Sequence, residues 1–260
     1  MQIPLFPLHA VLSPGLALPI HVFEERYRVL VRRCLDERAP FGVVLIREGS
    51  EVAPRDGRAQ ELAIATVGTL AEIREASRLR DGGWDLLAVG VSRFAIRTVH
   101  TDLEPYIVAD VEPLDDPSCD DADADGLMAR VTRRFVDYLR LLQPRDGEAT
   151  GPLDIQVEVE VPDADEAEAD AARVVASPGS DEAHDHASTL RIPDDPSQLS
   201  YLLSGIIQVE AARKQQLLEA PDAVTRLRLL DELLDRELVL LRARLAPYLA
   251  DGRVAATRTS

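Results

Sequence analysis

Lysine is nearly absent from this 260-residue chain: Lys214 is the only one among 29 basic residues. A phosphate loop of the GxxxxGK[ST] type needs a lysine followed by Ser or Thr, because the ammonium and hydroxyl meet the phosphates and their magnesium. Lys214 is followed by Gln215, which excludes nucleotide hydrolysis by that motif. Cysteine is scarce too. Cys34 and Cys119 lie far apart with no CxxC spacing, so neither a disulfide framework nor a metal knuckle is expected, and a reducing compartment fits. Among the five histidines, His9, His21 and His100 lack the spacing of a metal site, while His184 and His186 flank Asp185 inside a low-complexity acidic run. No GxSxG nucleophile elbow occurs. No stretch approaches the roughly 20 uninterrupted apolar residues of a membrane span. The apolar start from Ile3 to Phe23 has no basic n-region and is broken by Pro4, Pro7, Pro14 and Pro19, unlike a secretory signal. The expected location is cytoplasmic, and no cofactor or metal is expected.

Positive charge is also in short supply, with 46 acids giving a formal net charge of -17. The excess is local. Glu112 to Asp125 holds seven acids and no base, and Asp146 to Leu190 holds thirteen acids against Arg173 alone. Outside these stretches the chain is close to neutral. Phosphate neutralisation needs a basic field, so no nucleic acid is expected as partner, and an anionic membrane surface would repel the chain. Asp163 to Ala187 is built mainly from Asp, Glu, Ala, Pro, Ser and Gly without hydrophobic periodicity, so it is expected to be disordered. Before it, Ile155, Val157, Val159 and Val161 alternate with Gln156, Glu158 and Glu160. That alternation is compatible with an added edge strand whose glutamates discourage intermolecular pairing.

At 46% hydrophobic residues, the rest is long enough for one large domain or two smaller ones. Residues 1–114 read mainly as strands. Ile3–Leu8, Leu16–Phe23, Phe41–Ile46, Leu62–Ile73, Trp84–Val99 and Pro105–Pro113 are short apolar or alternating runs, with a turn signal at Ser13-Pro14-Gly15 and a bulge expected at Gly68-Thr69. Odd positions Leu87, Val89 and Val91 share one face, and after a shift Phe94 and Ile96 do so. One helix interrupts the strands. From Glu24 to Leu35, Tyr27, Leu30, Val31, Cys34 and Leu35 fall at helical spacing, which makes Cys34 a core residue. Strands without a βαβ rhythm point to a small antiparallel or mixed barrel.

Beyond residue 114 the period becomes helical. Leu127, Val131, Phe135, Tyr138, Leu139 and Leu142 mark one helix in the segment 115–145. An acidic, mostly disordered insert is expected over 146–194. A helical subdomain follows over 195–249, opened by Asp195-Pro196 as cap and first helical residue. Its last helix starts at Pro221-Asp222 and carries Leu227, Leu230, Leu234, Leu238, Leu241 and Leu245, with an end expected at Pro247 and a disordered tail over 250–260. Packing on the other helices is the plain account of that leucine stripe. An interaction surface is the alternative.

The ordered series Ile3-Pro-Leu-Phe-Pro-Leu8, Ser13-Pro-Gly15 and Leu18-Pro-Ile-His-Val-Phe-Glu-Glu-Arg-Tyr27 resembles the substrate-binding N-terminal domain of Lon proteases. The resemblance continues through Phe41–Ile46, Val67–Ile73, Gly90–Ile96 and Pro105-Tyr106, then resumes at Arg213–Glu219 and the leucine helix. It implies an α+β fold: a PUA-like mixed or antiparallel β pseudo-barrel followed by an α-helical bundle. It further implies a non-enzymatic domain, expected to lack Lon's ATPase and peptidase parts, that binds exposed apolar segments of polypeptides. The Ser/Lys dyad of Lon-type proteolysis agrees, since Lys214 has no nucleophile motif nearby. Expected partners are unfolded or degron-bearing polypeptides. The alternative is an adaptor or regulator binding a folded partner such as a Lon-type protease. The resemblance places the polypeptide-binding surface around Phe6, Phe23, Glu24, Arg26 and Tyr27. Phe6, Phe23 and Tyr27 are also simply explained as core aromatics, and Glu24 as an acid at a helix start.

Overall fold

Why these strands close on themselves follows from their pairing. A computed structural model describes residues 1–48, 63–117, 124–142 and 192–256, with side chains described to residue 244. The strands are β1 (Gln2–Leu8), β2 (Ala17–Val22), β3 (Phe41–Glu48), β4 (Ala63–Ile64), β5 (Val67–Arg78), β6 (Trp84–His100) and β7 (Val108–Leu114). Hydrogen-bonded neighbours run β1-β7-β6-β5-β3, and β3 returns to β1 in parallel, Leu5 facing Gly42. The ring is therefore closed. Its other ladders are antiparallel, so the barrel is mixed. β2 attaches to the first half of β6, and β4 to β3. The expected α+β architecture is present.

The helix α1 (Glu25–Glu37) plugs the barrel with Tyr27, Leu30, Val31 and Cys34, which pack with Phe6, Phe41, Leu86 and Tyr106. It ends where Arg38 takes the left-handed conformation at φ 51° and its N–H bonds the Cys34 carbonyl. Cys34 is only 3% exposed, and burial pushes its thiol up to about 11, the behaviour of a packed, inert cysteine. A second apolar cluster, Ile3, Leu5, Val44, Phe94, Ala109 and Val111, fills the rest of the barrel. Phe94 fits because two neighbours have no side chain. A Cβ at Gly42 or Gly68 would sit 2.7 or 2.6 Å from its Cζ.

Three local expectations shift. In the first half of β6 the buried residues are the even ones, Leu86 and Ala88, while Val91 is exposed, because the β2 and β5 ladders turn that face inward. The β5–β6 irregularities fall at Leu70/Ala71 and Ile73/Glu75, after the Gly68-Thr69 position expected for a bulge; Gly68 answers to Phe94 instead. The last helix does not stop at Pro247. It runs to Ala256, through residues 250–256 expected as tail. Proline removes one donor and crowds one carbonyl, but the Ala-, Leu- and Arg-rich residues around it favour helix strongly enough to continue.

The helical part comprises α2 (Ala124–Leu142), α3 (Pro196–Ile206), α4 (Ala211–Glu219) and α5 (Ala223–Ala256). Asp195 caps α3 by accepting from Gln198 N at 2.8 Å, with Pro196 at the first position. Asp222 caps α5 through Thr225 N at 2.7 Å. Leu227, Leu230, Leu234 and Leu238 are 0–5% exposed and share one core with Leu127, Val131, Phe135, Leu199 and Leu203. The leucine stripe is thus packing over its described part. Arg134 bonds both Asp231 (2.8 Å) and Asp235 (3.0 Å), fixing α2 along α5. The strand-like stretch 155–161, the acidic run 163–187 and the pair His184/His186 lie outside the described residues.

Barrel and bundle meet at Asp116, in the acidic run after β7. Its carboxylate accepts from Arg226 of α5 (2.9 Å), from Arg93 of β6 and from Ser197 of α3 (2.7 Å). Arg93 also donates to the Leu218 and Ala220 carbonyls at 2.9 and 2.5 Å. Arg226 is fully buried, donating to Leu217 O (3.1 Å) and Ser200 Oγ (2.8 Å), with its guanidinium 3.8 Å from the Tyr201 ring centre. Two buried cations around one carboxylate are tolerable only because nearly every lone pair and proton is used. Burial pushes the Asp116 carboxyl up, but the bonds from Arg226, Tyr201 and Ser197 outweigh it and hold it below the ordinary carboxylate range. Elsewhere on the seam, Gln215 donates to Val67 O at 3.0 Å, and a Cβ on Gly205 would fall 1.7 Å from Leu16 Cδ1.

Two stability predictions follow from these contacts. Gly68→Ala places a methyl 2.6 Å from the Val43 carbonyl oxygen, a backbone atom; it should cost about 1–3 kcal/mol, seen as a lower urea midpoint at unchanged m-value. Asp116→Asn leaves two buried guanidiniums without their shared anion and should cost about 3–5 kcal/mol at pH 7. A depressed carboxyl contributes stability above its unfolded pKa of about 4 and loses it as pH falls further. Urea titrations of wild type and Asp116→Asn should therefore converge below about pH 4; parallel curves down to pH 3 would contradict the assignment.

Candidate functional site

One barrel strand pairs on a single side among the described residues and leads into an exposed aromatic ring. Along β2, Pro19 and His21 are exposed while Ile20 and Val22 are buried, and Phe23 continues the outward row just past the strand. Period two makes these three residues one face. β2 pairs with β6 alone, so no other strand borders its second edge among the described residues. Phe23 is 50% exposed. Its ring lies 6.2 Å from that of His21, whose Nδ1 is 2.7 Å from Asp85 Oδ1 across the β2–β6 ladder. Trp84, opposite Val22, is half-buried, and the Arg78 guanidinium stands 5.9 Å from its ring centre.

The five residues singled out in the sequence divide between this rim and the core beneath it. Phe6 and Tyr27 are each 4% exposed and stack at 4.3 Å between ring centres, with Phe6 also 6.1 Å from Phe41. They support the surface from below. Arg26 caps the Tyr27 ring at 4.6 Å and donates from Nε to Glu24 Oε2 at 3.0 Å. Both charged side chains are only about one-fifth exposed or less, 21% and 15%. Of the five, Phe23 is the one that presents a large apolar surface. His21 and Asp85 join it across the β2–β6 ladder, whereas Trp84 and Arg78, in register with the buried Val22, lie on the opposite face, where Trp84 packs on the barrel core. Their only trace in the sequence is that they border apolar runs; the ladder register that assembles them is long-range.

Other chemistry-bearing residues are accounted for structurally. Lys214 donates from Nζ to the Gly205 carbonyl at 2.7 Å, satisfying the end of α3, and burial lowers its pKa. Burial, then its bond with Asp116, raises the Tyr201 phenol. His100 Nε2 lies 2.7 Å from Asp110 Oδ2. Among the described residues no group of three His, Cys, Asp or Glu is arranged to hold a metal ion. No described helix is long and apolar enough to cross a membrane. A shallow groove of about 200 Å³ lies between α4 and α5, lined by Arg213, Gln216 and Leu217 of α4 and by Leu229, Glu232, Leu233 and Arg236 of α5.

Comparison with known proteins gives one consistent result. Residues 2–236 match the family model of the ATP-dependent protease La (Lon) substrate-binding domain. The Lon protease of Anaeromyxobacter dehalogenans (strain 2CP-C) is 24% identical over 242 residues, covering 92% of this chain and 24% of that protein. For the Lon protease of Escherichia coli (strain K12) the values are 23% over 243 residues, 93% and 26%. The chain thus spans about a quarter of the length of these curated relatives. Two solved structures share the fold. A Lon N-terminal domain protein from Xanthomonas campestris superposes with TM-score 0.52 at 22% identity, over 88% of this chain and 95% of that one. The N-terminal domain of a Mycobacterium avium complex Lon protease does so with TM-score 0.54 at 17% identity, over 90% and 98%.

Proposed function

Because the chain belongs to the Lon substrate-binding domain family, we propose that it binds exposed apolar segments of unfolded or degron-bearing polypeptides along the β2 edge, with Phe23 as anchor. The observation that carries this reading is the exposed Phe23, fixed on a rigid barrel between His21 and the Arg26–Glu24 pair. An extended segment laid beside β2 has a strand edge for main-chain pairing and an aromatic face for side chains. Neither feature reads sequence closely, which suits a site for unfolded chains. Phe6 and Tyr27 act in this reading by stacking under the rim, and Glu24 and Arg26 by holding the start of α1. The sequence offers no catalytic constellation that would act on a bound chain, so the proposed role is capture without chemistry.

The adaptor reading, in which a folded partner such as a Lon-type protease docks on the helical part, has less support from the leucine stripe. Leu227, Leu230, Leu234 and Leu238 are core residues. The barrel edge is the better supported site.

The probe is a fluorescently labelled globular protein, reduced and alkylated so that it stays unfolded, titrated by anisotropy. Phe23→Ser should weaken binding about tenfold or more, since burying one such side chain contributes roughly 1.5–3 kcal/mol. Its melting temperature should match wild type, because the ring is half-exposed. Unchanged affinity in Phe23→Ser, or no wild-type binding at tens of micromolar, would overturn the assignment.

A further inference from the structure

The longest helix carries a second apolar stripe, opposite the buried one. At 3.6 residues per turn, Leu229, Glu232, Arg236, Val239, Leu240 and Ala243 lie on the side of α5 turned away from Leu230, Leu234 and Leu238. All six are exposed, with Val239 at 60% and Leu240 at 50%. Three of the large apolar side chains left exposed among the described residues, Leu229, Val239 and Leu240, thus fall on this one face. The charges around them carry the identity of the partner. Asp235, whose carboxylate bonds Arg134 on one side and stays 62% exposed, and Glu237 precede the Val239–Leu240 pair, and Arg242 and Arg244 follow it. Each acid stands two turns before a base, so Asp235 and Arg242 flank one side of the stripe, and Glu237 and Arg244 the other.

We propose that α5 pairs antiparallel with α5 of a second copy of this chain, about a two-fold axis at Val239–Leu240. In that arrangement the two Val239–Leu240 pairs meet at the centre. Asp235 of each copy faces Arg242 of the other on one flank, and Glu237 faces Arg244 on the opposite flank. A parallel pairing would set acid against acid and base against base. The helix length agrees. α5 spans Ala223–Ala256, 34 residues, and its midpoint falls between Val239 and Leu240. An antiparallel copy so centred therefore overlaps α5 along its whole length of about 51 Å. The distal half of the partner helix then lies over the shallow groove between α4 and α5, which Leu229 and Leu233 help to line. Each contact is made twice, as an isologous interface requires. The β2 rim takes no part, so polypeptide capture and pairing are independent.

Sedimentation velocity on the full chain between about 5 and 200 µM, the range that resolves micromolar association, tests the pairing. Wild type should pass from monomer to dimer with concentration. Val239→Glu/Leu240→Glu should remain monomeric throughout at unchanged melting temperature. Arg244→Glu and Glu237→Arg, which spare the Arg134–Asp235 bridge within the protomer, should each dimerise at least tenfold more weakly alone. Mixed in equal amounts, they should recover dimer, because an all-acidic flank then faces an all-basic one. A wild type monomeric across the range, or a dimer insensitive to Val239→Glu/Leu240→Glu, would overturn the proposal. Failure of the mixture to recover would overturn its antiparallel geometry.

Discussion

The relative placement of barrel and bundle turns on one carboxylate held between two guanidiniums. Arg93 comes from the long barrel strand, Arg226 from the longest helix, and Asp116 from the connection between the two halves of the chain. Neither arginine could be buried alone, since an unpaired cation out of water costs several kcal/mol. Sharing one anion ties three distant segments to a single geometry. The carbonyls of Leu217, Leu218 and Ala220 complete the shell, so the α4–α5 turn is fixed by the same group. A hydrophobic seam would have allowed sliding; directed hydrogen bonds to planar guanidiniums do not.

With the seam fixed, the two ends of the molecule are free to differ. The barrel rim presents an aromatic ring, a strand edge and charges already engaged with one another. The outer face of α5 presents aliphatic side chains between segregated charges. An aromatic beside an open edge suits a chain without structure, whereas matched apolar and charged positions at helical spacing suit one defined surface. The difference lies in side-chain chemistry and not in the amount of apolar area.

Much of the architecture was legible in the sequence because local periodicity decides it. The apolar runs of β1 and β3, the alternation in β7, the spacing of Tyr27, Leu30, Val31 and Cys34, and the Asp195-Pro196 cap each have a short-range cause. What could not be read depends on long-range pairing. Asp116 sits in a run of acids that looks uniformly solvated, and only the approach of Arg93 and Arg226 distinguishes it from Asp115. Phe6 and Phe23 are equivalent aromatics beside apolar runs, yet ladder register buries one and exposes the other. Pro247 is a helix-ending signal that the propensity of its neighbours overrides. Gly68 resembles a bulge residue until Phe94 occupies the space above it.

The closure of the barrel also sets an order of events. β1 is completed by partners on both sides: β3, which follows within a few dozen residues, and β7, where Gln2 meets Asp110. On a ribosome, the first strand to appear must therefore wait for roughly 100 further residues before its outer hydrogen bonds can form. Until then its apolar row and unpaired edge stay available to whatever surrounds the nascent chain. A domain whose proposed work is to hold unfinished polypeptides thus passes through a stage in which its own first strand is one.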